Sequence, residues 1–264
     1  MTDAVNDPGA HARSVNEQAH PRPLSIASLI ALHLAPGALA VALFVLIAGP
    51  VGDAGYPPLL AFLLSVAFVL LPAELAIIAL AARREAAGGG LFSPIRFRQP
   101  LSGRDWLVVL PVTLVVSIVA FGALSFLEPG IRDGLFGWLP GWFRELVDTD
   151  AIGEYSAFAW GVTLVAYVAL NVFIGPVVEE LYFRGYLLPR MTSMGRWAPL
   201  VNTTLFSLYH FWTPWAFISR IGGVAPFAYA VWWKRNIFLG MAVHVLLNAV
   251  GTLTLVALVL GELP

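Results

Sequence analysis

The chain has 264 residues, 59% of them hydrophobic and only 12% charged, with a mean hydropathy of +0.80. Soluble domains carry roughly 25% charged residues, so this chain has too few charges to cover a water-facing surface and belongs in a bilayer. A net charge of −1, from 15 Lys and Arg against 16 Asp and Glu, excludes the basic field that a nucleic-acid partner needs. With no cysteine in the chain, disulfides, thiolate metal sites, iron–sulfur clusters and thiol nucleophiles are excluded together, and any catalysis must use oxygen and nitrogen groups.

Residues 1–23 are polar, broken by Pro8, Pro21 and Pro23, and lack an apolar period, which predicts a disordered tail. The stretch 24–49 then runs without a formal charge and is long enough to cross a hydrocarbon core of about 30 Å. Ala38-Leu39-Ala40 resembles a signal cleavage site, yet the apolar run continues past it, so the segment reads as a retained span. Further apolar runs at 57–82, 105–127, 155–188, 198–213, 215–233 and 237–260 predict an all-α, polytopic transmembrane bundle of about seven helices. Residues 24–264 form a single transmembrane domain on this reading.

Basic residues cluster after the second, fourth and sixth runs: Arg83, Arg84, Arg96, Arg98 and Arg104, then Arg190 and Arg196, then Lys234 and Arg235. Arg13 and Arg22 precede the first run. The positive-inside rule therefore predicts a multi-pass integral membrane protein with its N-terminus in the cytoplasm and its C-terminus outside, as in a prokaryotic plasma membrane. The loop 128–154 on the opposite side holds Glu128, Asp133, Glu145, Asp148, Asp150 and Glu154, and its aromatic stretch 134–147 is expected to anchor in the interface. No internal repeat of the kind that relates transporter halves is visible.

Ionisable groups inside apolar spans are costly and usually face the bundle interior. Glu179, Glu180, Arg184, His210, Arg220 and His244 stand out, with Glu74 and His33 as weaker cases. Counted from the basic flanks at 1.5 Å per residue, Glu179, His210 and His244 lie at depths of about 16, 21 and 14 Å. Three helices thus bring a carboxylate and two imidazoles to one layer. Glu179 and Glu180 leave the helix axis about 100° apart and cannot both aim at one small target without distortion. Glu180 and Arg184 stand at i, i+4 and are expected to pair, which leaves Glu179 for chemistry. Pro176 removes a backbone hydrogen bond just upstream and predicts a kink that admits water. His244 and Asn248 share one helix face, and Phe206 lies one turn before His210. Taken singly, each group is more often a structural residue than a functional one; their matched depth favours a shared site. Arg220 is expected to pair with Glu74 on this reading, and His33 is expected to bond locally.

These residues form three motifs in order: EELYFR at 179–184, FSLYH at 206–210 and HVLLN at 244–248. Together they resemble the CPBP family of CAAX-processing and bacteriocin-processing intramembrane proteases, also called the Abi family, over about residues 155–252. The resemblance implies an intramembrane endopeptidase acting on a membrane-associated peptide or protein, prenylated or bacteriocin-like. It implies Glu179 as the base that activates water, His210 as the group that positions it, and His244 with Asn248 as oxyanion donors. Glu180, Arg184 and Phe206 are implied as supporting residues. A cofactor-free glutamate mechanism is favoured, because no His-Glu-x-x-His string exists. Zinc is the alternative, with Glu179, His210 and His244 as its ligands. A proton- or ion-coupled transporter using Glu74, Glu179, Arg220 and the histidines is the rival from another class. The bilayer is an implied partner, and oligomeric state is not legible.

Overall fold

The computed structural model describes residues 23–85, 90–144, 146 and 152–262. The expected N-terminal tail before residue 23, with Arg13 and Arg22, and the acidic loop residues Glu145, Asp148 and Asp150 lie outside the described residues. Each of the seven apolar runs contains a main helix: α1 (Ile26–Asp53), α2 (Pro58–Arg84), α3 (Gly103–Ser125), α4 (Ala157–Arg190), α5 (Ala198–Leu208), α6 (Phe217–Lys234) and α7 (Ile237–Glu262). Five of them, α1 to α4 and α7, are long and apolar enough to cross a membrane. The other two are shorter. Helix α5 has 11 residues and extends about 16 Å, roughly half a hydrocarbon core, while α6 has 18 residues and extends about 27 Å.

The packing is that of a membrane protein. On α3 the small polar residues Thr113 and Ser117 are buried, whereas Leu107 and Val119 are 79% and 62% exposed. Polar groups point inward because a bilayer offers them no water. Helices α3 and α6 pack closely, and Gly222 permits it: a β-carbon there would meet Leu124 Cδ1 at 2.5 Å and the Ala120 carbonyl oxygen at 3.3 Å. Small residues at such a crossing let backbones approach where no hydrophobic force drives helices together.

The basic clusters gather at one end of the bundle. The Arg96 amide donates to the Gly185 carbonyl, Arg190 Nη1 to the Pro94 carbonyl, and the Gln99 amide to the Arg235 carbonyl. Lys234 Nζ pairs with Asp105 at 2.6 Å across the same end. At the opposite end, a short helix (Glu128–Leu135) leads into aromatic residues of which Trp138 is 78% exposed and Phe143 is buried against Phe44.

Two of the spanning helices are not regular. Helix α2 contains a π turn at Val66–Leu70, and α4 contains two, at Val168–Ile174 and Glu180–Leu187. Pro176 accounts for the first turn of α4. Proline cannot donate to a carbonyl one turn back, and the ladder widens just ahead of it, where the Gly175 amide reaches five residues back to the Leu170 carbonyl. Donors outside the backbone ladder meet carbonyls of the second turn, two of them from other parts of the chain. Asn202 Nδ2 reaches the Phe183 oxygen at 3.1 Å, Arg96 the Gly185 oxygen at 2.8 Å and Arg190 the Tyr186 oxygen at 2.6 Å. Such π turns often mark functional sites.

Candidate active site

Glu179 and Glu180 sit at the junction between the regular turn Gly175–Glu179 and the π turn Glu180–Leu187. Both are buried. Glu180 Oε1 pairs with Arg184 Nη1 at 3.0 Å, the i, i+4 pair expected from the sequence. The Arg184 guanidinium is also fully buried, with its carbon 4.4 Å from the centre of the Phe206 ring and 5.1 Å from that of Phe227. Aromatic faces thus replace part of the hydration this cation has lost.

The two carboxylates nevertheless reach one imidazole. Glu180 Oε1 lies 3.1 Å from His244 Nδ1, and Glu179 Oε2 lies 3.7 Å from His244 Nε2. This corrects the expectation that Glu180 serves Arg184 alone. Neighbouring side chains diverge by about 100°, but a ring presents two nitrogens on different sides, and the π junction supplies the distortion that convergence requires. Gly240 on α7 makes the contact possible, since a β-carbon there would meet Glu180 Oε2 at 2.6 Å. Because Glu180 is an acceptor already paired with Arg184, the proton of this bond belongs to Nδ1, and Nε2 is turned toward Glu179.

The other oxygen of Glu179 accepts a hydrogen bond from the Tyr209 hydroxyl. Tyr209 was missed by the sequence reading. It immediately precedes His210 in FSLYH, and a hydroxyl-bearing ring inside an otherwise apolar run was the available signal; the structure buries it. Helix α5 ends at Leu208, so His210 stands in the turn just beyond it rather than within a continuous span as expected. Its Nδ1 bonds to the Phe206 carbonyl at 2.8 Å, which leaves Nε2 without a proton in the neutral ring. Phe206 packs edge-on beneath it with ring centres 4.7 Å apart. Asn248 is one turn beyond His244 and donates to the Asn171 carbonyl at 2.8 Å, inside the first π turn of α4.

Glu179, His210, His244 and Asn248 all line one cavity of about 560 Å³. Its walls are apolar: Leu59, Phe62, Leu63 and Val66 from α2, Ile118 and Phe121 from α3, and Leu247 and Leu255 from α7. The cavity therefore suits an apolar chain, with polar groups gathered where α4, α5 and α7 meet. Among the described residues, no three His, Asp or Glu side chains are arranged as a group that could hold a metal ion.

The weaker candidates separate. His33 is buried and bonds through Nδ1 to the Leu29 carbonyl at 2.7 Å, the local role expected of it, while its Nε2 faces Asn202 Nδ2 at 3.0 Å. Glu74 and Arg220 do not bond to one another. Arg220 donates to the Ser207 carbonyl and the Thr213 hydroxyl and lines the cavity, whereas both oxygens of buried Glu74 lack a hydrogen-bond partner. Helix α6 presents Arg220 to the turn after α5, while the Glu74 end of α2 packs against α4.

Residues 159–250 match the family model described as type II CAAX prenyl endopeptidase Rce1-like. No curated protein and no solved structure matches the chain. The matched stretch contains all three sequence motifs and leaves α1, α2 and α3 outside it.

Proposed function

We propose that the cavity hydrolyses a peptide bond of a membrane-associated substrate and that Glu179 activates the water, a reading supported by the match of residues 159–250 to the Rce1-like model of type II CAAX prenyl endopeptidases. One observation carries this reading: a buried carboxylate held by a phenol on one side faces an imidazole on the other, in an apolar cavity. Glu179 takes a proton from water as the oxygen attacks the carbonyl, and returns it to the leaving amine. The unprotonated Nε2 of His210 accepts the second water proton as a hydrogen bond and orients the nucleophile. His244 is fixed through Nδ1 by Glu180, which holds its Nε2 edge toward Glu179 and the developing oxyanion. The second Asn248 amide proton adds a donor on the same helix face.

The apolar walls suit a prenylated peptide or a short hydrophobic segment. We place the basic end of the bundle in the cytoplasm by the positive-inside rule. The test is cleavage of a farnesylated peptide by purified protein in proteoliposomes, read by mass spectrometry with and without a chelator. Chelator-resistant cleavage is expected. Inhibition that zinc reverses would replace the glutamate mechanism with a metal-dependent one, and absence of cleavage together with proton or ion flux would favour a transporter.

A further inference from the structure

The cavity holds a cation that the proposed hydrolysis does not use. Arg220, on the first turn of α6, lines the same cavity as Glu179, His210 and His244. Its Nη1 donates to the Ser207 carbonyl at 3.3 Å and its Nη2 to the Thr213 hydroxyl at 2.6 Å. Both partners are neutral. Glu128, at the start of the short helix Glu128–Leu135, and Glu179 supply counter-charge from nearby, but the Glu128 carboxylate is bonded by the Ser219 hydroxyl and neither carboxylate occupies the guanidinium fork. A guanidinium has five N–H donors in a rigid fork, and two neutral bonds fix its plane while leaving donors over. Holding such a charge against Leu59, Phe62 and Val224 costs free energy that carbonyl and hydroxyl bonds recover only in part.

We propose that Arg220 is a subsite for a carboxylate of the peptide substrate, binding it through the guanidinium fork and setting where the chain is cut. This rests on the proteolytic reading of the cavity. A volume of about 560 Å³ corresponds to roughly 10 Å across if compact, and an extended chain covers about 3.4 Å per residue. The recognised carboxylate is therefore only a few residues from the scissile bond. It is either the C-terminus of the substrate or an acidic side chain near it, and in both cases Arg220 supplies the counter-charge.

The probe is a farnesylated, internally quenched peptide made in three forms: a free C-terminal acid, the C-terminal amide, and the amide with a glutamate next to its end. The wild type is expected to cleave the acid at least tenfold better in kcat/KM than the plain amide. Arg220→Gln brings the two together, chiefly through a higher KM for the acid, and Arg220→Lys gives an intermediate ratio. Recovery of the tenfold preference by the glutamate form assigns the subsite to a side chain rather than the C-terminus, and its failure to recover assigns it to the C-terminus. Equal cleavage of all three forms by the wild type, or an acid preference that survives Arg220→Gln, overturns the subsite while proteolysis stands. Binding of the same peptides to the Glu179→Gln protein separates the two claims. Acid-selective binding that Arg220→Gln removes, without wild-type cleavage, upholds the subsite and overturns proteolysis.

Discussion

The polar network lies mainly in α4 to α7, whereas α2 and α3 present an almost wholly apolar wall to the cavity. In the first region, polar groups far apart in sequence meet: Glu180, paired with Arg184 on its own helix, reaches His244, Glu179 meets Tyr209, and Asn248 meets the π-turn carbonyl of Asn171. In the second, Leu59, Phe62, Leu63, Val66, Ile118 and Phe121 face the cavity, and Ser65 is satisfied within its own helix by the Phe62 carbonyl at 2.6 Å. The family match covers the first region and stops short of the second. On the proposed reading, α4 to α7 carry the chemistry and α2 and α3 contribute to substrate fit, and substitutions in each are expected to differ in kind.

The largest expected effect is on stability. Arg184→Ala leaves the Glu180 carboxylate buried without its cation, which costs about 3–5 kcal/mol. Thermal denaturation in detergent should show a clear loss of midpoint; an unchanged midpoint would mean that this pair does not hold the network. Next, His244→Ala is expected to lower kcat by roughly 10²–10³-fold, the usual cost of one oxyanion donor. Single-turnover cleavage measures it, and a change confined to KM would assign His244 to binding instead. Tyr209→Phe removes one hydrogen bond to Glu179 and should lower kcat about tenfold, on the scale of a charge-assisted bond. Wild-type turnover in that variant would mean that Glu179 needs no such support. The smallest effect is expected from the wall, where Phe62→Ala should change KM a few-fold with kcat nearly constant. A larger effect on kcat than on KM would move Phe62 from substrate fit to chemistry.

The comparison also shows what the sequence could reveal. The helical class and the positions of the main helices were legible because apolar runs record burial in lipid over whole segments. The convergence of Glu179 and His244 was legible from matched depth. The lengths of α5 and α6 were not, since an apolar run does not mark the turn that interrupts it, and the chain leaves α5 at Leu208 while hydropathy continues through Phe211 and Trp212. The double engagement of His244 was hidden as well. It depends on the π junction at Glu180 and on the room left by Gly240, and neither follows from a straight helix of 3.6 residues per turn. Pro176 marked the first distortion. The second has bonds to distant residues, Asn202 and Arg96, which no local pattern announces.

The central claim is that Glu179, and not its neighbour, performs the hydrolytic step. Its most direct measurement is turnover of the farnesylated peptide by the Glu179→Gln protein, with the denaturation midpoint of the same sample as the control for folding. Turnover reduced by roughly 10²–10⁴-fold at an unchanged midpoint is the predicted result. Wild-type turnover by the folded Glu179→Gln protein would contradict it.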